Sequence, residues 1–197
     1  SARGIFVANC PGKNSVAVAE LTMGLVVAMD RRIPDNVIDA RNGQWNKALY
    51  AQADGLKGRT LGVIGLGNIG EAVVQRATAF DLNVVAWSRS LTPDEAAAKD
   101  IGFCETPHAV AHTADIVTLH VASTPATKHL ADRDFFAAMN DGASFVNTTR
   151  AAVVDEEALA WAVDKKDIRA ALDVMESEPA AKTGSFDHPL ANHPNVY

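Results

Sequence analysis

The chain has 197 residues, of which 48% are hydrophobic and 21% are charged, and its formal net charge is −6. This length allows one large domain with a buried core, or one domain with part of a second. The acidic balance and the lack of a basic stripe argue against a nucleic-acid or anionic-membrane surface. No apolar run approaches the roughly 20 residues of a membrane span, and the first four residues do not resemble a signal peptide. We therefore expect a soluble, cytoplasmic protein.

The cysteines and histidines give no sign of a structural staple or a metal centre. Cys10 and Cys104 are too few for a disulfide framework and lack metal-site spacing, so both are expected to be small buried apolar residues in a reducing compartment. His108 and His112 are spaced to share one helix face. Without a third ligand, we predict no metal site there.

The first predicted element is a helix over residues 15–29, with Asn14 or Ser15 as its cap. This segment is apolar on nearly every side, so the helix is expected to be covered on several sides. A polar arm over residues 31–58 follows and carries Trp45 and Tyr50. An ordinary core helix would explain the pattern, but a helix and arm that embrace a second copy explain it better. We predict a homodimer, with residues 1–58 forming much of its surface.

The next element is an apolar run, 61–64, that leads into a glycine turn. The turn supplies Gly65, Gly67 and Gly70 in a GxGxxG pattern, with Asn68 and Ile69 between them, and an apolar-periodic helix over 72–80 follows. In a strand–turn–helix unit of this kind, the glycines permit a sharp turn, close approach of a pyrophosphate and tight helix packing. The anion binds free amides at the helix N-terminus. A lone GxGxxG is weak evidence, so its context decides.

Strands and helices then alternate along the rest of the chain. We predict strands at 83–87, 101–104, 115–120, 143–147 and 168–174, and helices at 93–99, 107–112, 132–139 and 156–163, the last capped by Asp155. This alternation is typical of βαβ units and predicts an α/β fold with a doubly wound parallel sheet, the Rossmann dinucleotide-binding arrangement, over 59–197.

Polar residues follow five of the predicted strands, at 65–70, 87–90, 120–124, 147–150 and 173–178. Ligands bind at the carboxyl ends of such strands, so we expect these segments to surround one crevice. The second strand usually ends in an acidic residue that binds the ribose of NAD. Here the sequence reads Ser88, Arg89, Ser90, which suits a 2′-phosphate better than a carboxylate would. NADP is therefore predicted in preference to NAD, although Arg89 can also be a solvated surface residue.

Several motifs resemble the D-isomer-specific 2-hydroxyacid dehydrogenase family, which includes phosphoglycerate dehydrogenase and glyoxylate/hydroxypyruvate reductase. The motifs are Asn147-Thr148-Thr149-Arg150, the run Val153-Val154-Asp155-Glu156, and residues 171–179, which read ALDVMESEP. The similarity covers nearly the whole chain. It implies hydride transfer between a nicotinamide cofactor and a small 2-hydroxy or 2-oxo acid.

The resemblance also implies roles for individual residues. Arg150 would bind the substrate carboxylate and polarise the carbonyl, and Glu178 would orient the catalytic histidine and raise its pKa. Asp173 would lie near the nicotinamide. The amides of Asn68 and Ile69 would bind the pyrophosphate, whereas the remaining positions would line the cofactor crevice: Val121, Ala122, Thr148 and Thr149. A glutamine at position 178 would instead have suggested formate dehydrogenase.

The catalytic histidine of this family lies beyond the segment that resembles residues 193–197, and none of the six histidines here matches it. The first half of the family's substrate domain is not matched either, and the chain does not begin with Met. We therefore expect a cofactor-binding fragment of a split two-domain enzyme, itself nearly inactive. The alternative, which the fold alone cannot exclude, is a non-catalytic NAD(P)-sensing module resembling the dehydrogenase-like transcriptional co-repressors.

Overall fold

A computed structural model of the chain describes residues 12–179 and 184–197. The strands are β1 Thr60–Ile64, β2 Asn83–Trp87, β3 Gly102–Phe103, β4 Ile116–Leu119, β5 Ser144–Asn147 and β6 Arg169–Leu172. The helices are α1 Ser15–Asp30, α2 Ile33–Arg41, α3 Lys47–Tyr50, α4 Asn68–Ala79, α5 Pro93–Ala98, α6 Pro107–Thr113, α7 Arg133–Ala138 and α8 Glu156–Lys166. Short 3-10 helices span Ala151–Val153 and Pro189–Asn192.

The six strands form one parallel sheet in the order β3-β2-β1-β4-β5-β6. Strands β1 to β3 are added toward one edge of the sheet, and β4 to β6 are added toward the other edge. The switch point therefore lies between β1 and β4, where doubly wound sheets bind ligands. This topology confirms the predicted α/β class. The carboxyl ends of β1 and β4 lie side by side, since Ile64 pairs with Leu119.

Two buried clusters cover the two faces of the sheet. One contains residues of α1 and α4, including Met23, Val26 and Val73, and the other contains residues of α6, α7 and α8. The second is centred on three aromatic rings in edge-to-face contact, with Phe136 and Phe145 centroids 5.1 Å apart. Strands β4 and β5 are buried along their whole length, and their sequences, IVTL and SFVN, accordingly lack the strict alternation of apolar and polar residues that a half-exposed strand shows.

Most predicted elements are present, with differences at their ends. Helix α4 begins at Asn68, inside the glycine turn and ahead of its predicted start, because glycines do not carry the apolar pattern on which the prediction rested. The arm, in which no element was predicted, contains α2 and α3. Helix α1 is buried on one face, whereas Val16 and Leu21 are 54% and 41% exposed. Cys104 is buried, as predicted, and Cys10 lies outside the described residues.

Residues 195–197 extend the sheet beyond β6. The amide of Ala170 donates to the carbonyl of Asn195 at 2.8 Å, and that of Leu172 donates to the carbonyl of Tyr197 at 3.0 Å. The Tyr197 hydroxyl donates to Asp35 of α2 at 3.0 Å. The arm is thus attached to the far edge of the sheet. Among the described residues, none of the helices combines the length and the apolar character that a membrane span requires.

Candidate functional site

The glycine turn joins β1 to α4, and each of its glycines meets a different requirement. Gly65 has a φ of +101°, and a Cβ there would lie 2.7 Å from the carbonyl oxygen of His120. A Cβ on Gly70 would overlap the carbonyl of Gly65. A Cβ on Gly67 would meet nothing within 4 Å, because it would point into open space. Gly65 and Gly70 are therefore needed to build the turn, and Gly67 keeps room for a ligand.

The N-terminus of α4 is a site for an anion. Gly67 is the N-cap residue, and no side chain of the described residues caps the helix. The first helical amides, those of Asn68 and Ile69, have no partner within the helix and face the positive end of its dipole. Free amides beside a glycine that leaves open space are what a pyrophosphate requires. The residues present therefore fit a dinucleotide.

The turn opens into a cleft of about 540 Å³ at the β1–β4 switch point. This volume lies within the range of small-molecule and cofactor sites. The cleft brings together most of the predicted cofactor residues with Arg150. Its lining comprises Gly12, Asn14, Ser15, Val18, Gly67, Asn68, Ile69, His120, Val121, Ala122, Ser123, Thr148, Thr149 and Arg150.

The start of α1 forms one wall of this cleft, which sequence reasoning did not predict. A Cβ on Gly12, whose φ is +76°, would lie 2.9 Å from the Nδ2 atom of Asn68. The side-chain oxygens of Thr22 and Thr148 lie 3.3 Å apart in the interior. A glycine shortly before Ser15 is the signal that was available, because glycine often marks a close approach or a special backbone angle before a helix.

The loop after β5 is held by Asn147, which is 1% exposed. Its Oδ1 accepts hydrogen bonds from the amide and the hydroxyl of Thr149, at 3.0 and 2.7 Å, and its Nδ2 donates to the carbonyl of Arg150 at 3.2 Å. The guanidinium of Arg150 donates to the carbonyl of Thr149 at 2.6 Å. One buried amide side chain thus shapes the loop that presents the cation to the cleft.

His120 directly follows β4 and lines the cleft, although its side chain is largely buried. Its Nε2 is 3.0 Å from the hydroxyl oxygen of Thr118, and its Nδ1 has no hydrogen-bond partner among the described residues. Burial lowers the pKa of His120 to about 4, because the charged ring would lose its hydration. At neutral pH the ring is uncharged, so Arg150 is the cation among the described residues that line this cleft.

The residues at the end of β2 lie outside the lining of this cleft. Ser88 is half-buried, and Arg89 and Ser90 are exposed in a turn in which the amide of Leu91 donates to the carbonyl of Ser88. Arg89 forms no ion pair with any of the described residues. Its guanidinium is therefore available to an anionic ligand at this strand end.

Asp173 and Glu178 line a second cleft of about 280 Å³, so the predicted crevice is divided in two. The segments that follow β5 and β6 are direct neighbours, because the amide of Asp173 donates to the carbonyl of Asn147 at 3.0 Å. Burial and the charge of Glu178 raise the pKa of Asp173. Glu178 accepts a hydrogen bond from the amide of Met175 at 2.9 Å.

None of the described histidines contacts Glu178. Four of them face other carboxylates: His108 faces Asp132, His129 faces Glu176, His188 faces Glu156 and His193 faces Asp164. Across residues 12–179 and 184–197, no group of three or more His, Cys, Asp or Glu residues is arranged to hold a metal ion.

Known proteins resemble both the sequence and the fold. Residues 23–197 match the family model of the D-isomer specific 2-hydroxyacid dehydrogenase, NAD binding domain. The D-3-phosphoglycerate dehydrogenase of Methanocaldococcus jannaschii is 40% identical over 195 residues, which are 98% of this chain and 36% of that protein. The hydroxypyruvate reductase of Thermotoga maritima is 39% identical over 182 residues, which are 90% of this chain and 56% of that protein.

A solved structure, the TT0316 protein from Thermus thermophilus, is 37% identical to this chain and superposes with a TM-score of 0.86. The match covers 99% of this chain and 60% of that one. The chain thus spans between about a third and just over half of the curated relatives described above. Together with the glycine turn and the switch-point cleft, these matches show that the chain belongs to the D-isomer-specific 2-hydroxyacid dehydrogenase family and corresponds to its NAD-binding domain.

Proposed function

We propose that this chain binds NADP(H) in preference to NAD(H), and that the protein to which it belongs interconverts a small 2-oxo acid and its D-2-hydroxy acid. Glyoxylate and hydroxypyruvate are the favoured 2-oxo acids. The observation that carries the proposal is the single cleft in which the uncapped start of α4 and the cation of Arg150 face the same space. One supplies a place for a pyrophosphate, and the other a place for a carboxylate.

When bound, the dihydronicotinamide supplies the hydride that reduces the substrate carbonyl. The residues of this chain bind and orient. One N–H group of Arg150 donates to the carbonyl of Thr149, which leaves its other N–H groups for the substrate carboxylate. Its planar fork suits a two-point contact that fixes the direction of the 2-oxo acid.

Glu178 is proposed as the carboxylate that orients an acid–base histidine. Since no described histidine contacts Glu178, that histidine is proposed to come from a segment outside this sequence. This chain alone is then expected to bind the cofactor and to turn over 2-oxo acids negligibly. A normal enzymatic rate from the chain by itself would contradict this part of the proposal.

The preference for NADP(H) rests on Arg89, which forms no ion pair with the described residues, beside Ser88. Titration calorimetry with NAD+ and NADP+ tests it. NADP+ is expected to bind more tightly. Arg89→Ala is expected to weaken the binding of NADP+ about tenfold, since a charge-assisted hydrogen bond is lost, and to leave the affinity for NAD+ nearly unchanged. Arg41→Ala, at an exposed arginine of α2, is the matched control. Tighter binding of NAD+ by the unmodified chain would overturn the preference.

The substrate class is tested on the full-length gene product with glyoxylate, hydroxypyruvate and 3-phosphohydroxypyruvate, each with both cofactors. Turnover of at least one of these 2-oxo acids would support the proposed dehydrogenase activity. Binding of cofactor with turnover of none would support the second candidate, a non-catalytic NAD(P)-sensing module. This second candidate is supported by one observation, namely that no described histidine contacts Glu178. Arg150→Ala in the full-length protein is expected to abolish turnover and to leave cofactor binding measurable.

We further propose a homodimer formed through α1 and the arm. Large apolar side chains are exposed on these elements, with Ile38 at 55% and Trp45 at 83% in the arm and Val16 and Leu21 exposed on α1. Burial of these side chains against a second copy would remove apolar area from water. Sedimentation velocity is expected to give a dimer mass, and Ile38→Asp a monomer. Phe80→Asp, at an exposed residue after α4, is the control, and a monomer mass for the unmodified chain would contradict the proposal.

A further inference from the structure

A polar cluster outside both clefts holds the turn that carries Glu178. Its centre is Glu156, the first residue of α8, whose side chain is only 13% exposed. The Oε1 atom of Glu156 accepts a hydrogen bond from the amide of Glu176 at 2.8 Å, and its Oε2 atom lies 2.7 Å from the Nε2 atom of His188. One carboxylate thus joins two segments that are distant from α8 in sequence.

His188 is fixed in one orientation, with its side chain 10% exposed. Its Nδ1 accepts a hydrogen bond from the amide of Leu190 at 3.2 Å, and its ring stacks on Phe186 at 5.9 Å with an angle of 5° between the planes. Because Nδ1 accepts, the ring proton lies on Nε2 and is donated to Glu156. The carboxylate therefore accepts from both sides.

The turn that Glu156 holds is closed on itself. The amide of Glu178 donates to the carbonyl of Met175 at 3.2 Å, while the side chain of Glu178 accepts from the amide of Met175 at 2.9 Å. Glu176 lies between these two residues, and its amide is the one bound to Glu156. Fixing that amide fixes the path of the turn, and with it the direction of the Glu178 carboxylate.

Glu156 itself stands on a rigid support. Asp155 caps α8 by accepting a hydrogen bond from the amide of Ala158 at 3.0 Å, and the amide of Asp155 donates to the carbonyl of Ala131 at 3.0 Å. The amide of Ala131 donates in turn to the carbonyl of Val153, in the 3-10 helix that follows Arg150. The loops of Arg150 and Glu178 thus share one anchored segment.

We infer that Glu156, held by His188, is a positioning residue that sets the location of the Glu178 carboxylate. The inference rests on the role proposed above for Glu178 in catalysis, but the location itself can be measured without activity. Asp173 is the reporter, because it lines the same cleft as Glu178 and feels the charge of that residue.

The test is a ¹³C NMR titration of the Asp173 carboxyl in the full chain. Glu178→Gln removes the neighbouring charge and is expected to lower the pKa of Asp173. Glu156→Ala releases the turn and is expected to lower the pKa toward the same value, whereas Glu157→Ala, at the exposed neighbour in the same helical turn, leaves it unchanged. In the double variant of Glu156 and Glu178, no further decrease is expected.

Two results would overturn the inference. One is an unchanged Asp173 pKa in Glu156→Ala, and the other is an equal decrease whether or not Glu178 is present, which would mean that Glu156 acts through burial of Asp173. If Glu156→Ala does not fold, His188→Gln weakens the same contact from its other side and is expected to lower the Asp173 pKa by a smaller amount.

The active full-length enzyme adds a second readout. There, Glu156→Ala is expected to reduce kcat about tenfold to a hundredfold with little change in cofactor Kd, because the misplaced carboxylate orients its partner poorly. An enzyme in which Glu178→Gln leaves kcat intact would refute the proposed role of Glu178. The NMR result on its position would stand apart from that outcome.

Discussion

The hydroxyls of Thr22 and Thr148 meet inside the protein, with their oxygens 3.3 Å apart, and join the middle of α1 to the wall of the cofactor cleft. Thr22 is fully buried. Thr22→Val keeps the shape of the side chain but removes the partner of the Thr148 hydroxyl. We expect the free energy of unfolding to fall by about 1 to 2 kcal/mol and cofactor binding to weaken, as measured by urea unfolding and calorimetry. Thr22→Ser keeps the hydroxyl and is expected to bind as the unmodified chain does. Equal affinity for the Val and Ser variants would contradict the link between α1 and the cleft.

Alanine substitutions at two glycines of the turn are expected to distinguish an effect on cofactor binding from an effect on folding stability. Gly67→Ala places a methyl group in open space, so we expect the melting temperature to change little and the Kd for the cofactor to rise at least about tenfold. Gly70→Ala drives a methyl group into the carbonyl of Gly65, so we expect a clear loss of stability, on the order of 1 to 3 kcal/mol. Thermal unfolding and calorimetry on both variants check this. If Gly67→Ala destabilised the protein as much as Gly70→Ala, the space beside Gly67 would not be open in solution.

The buried ring of His120 makes stability depend on pH. Its pKa is lowered to about 4 in the folded protein from the ordinary 6.5, so between these values the unfolded chain binds more protons. The contribution of His120 is therefore present in full above about pH 6.5, and it is lost as the pH falls toward 4. The loss amounts to roughly 3 kcal/mol over this range.

Urea unfolding between about pH 7.5 and 4.5 measures this dependence. Acidic residues also destabilise the protein at low pH, so the comparison is with His120→Asn, whose stability is expected to fall less over the same interval. Identical slopes for the two proteins would show that the folded protein does not disfavour protonation of His120.

The arm contains a hydrogen bond that can be followed by absorbance. The hydroxyl of Tyr50 donates to Asp39 at 2.6 Å, and this bond raises the pKa of Tyr50 to about 12. Tyr197→Phe leaves Tyr50 as the single tyrosine, since the chain has two. In the Tyr197→Phe variant, Asp39→Asn is expected to lower the pKa of the Tyr50 phenol toward about 10, as measured by ultraviolet titration. Asp54→Asn is the control, and an ordinary pKa before the change at Asp39 would mean that the bond does not form in solution.

Much of the fold follows from local pattern. The runs at 61–64, 83–87 and 143–147 are short, mainly apolar and bounded by turn residues, so they were predictable as strands of a parallel sheet. The arm was not predictable, because α2 buries none of its residues. It is held by contacts such as the hydrogen bond from the Tyr197 hydroxyl to Asp35, made across 162 positions of sequence. Propensity alone does not reveal such partners.

The candidate site was predictable where each residue sits just after a strand. Gly67, Asn68, Thr148 and Arg150 meet in one cleft because the carboxyl ends of parallel strands share an edge. The contribution of α1 was not predictable, since a helix that precedes the sheet has no fixed place relative to strand ends. The divided crevice follows from sheet order: β6 lies two strands away from β4, so Asp173 falls in a neighbouring cleft.

The close approach of Gly12 to Asn68 links the entry of α1 to the phosphate-binding turn. The φ of +76° strains any larger residue at position 12, and a Cβ there would also displace the side-chain amide of Asn68. We therefore expect a ligand that orders the turn to order the start of α1 as well. By thermodynamic reciprocity, a change that displaces α1 is then expected to lower the affinity of the domain for its cofactor.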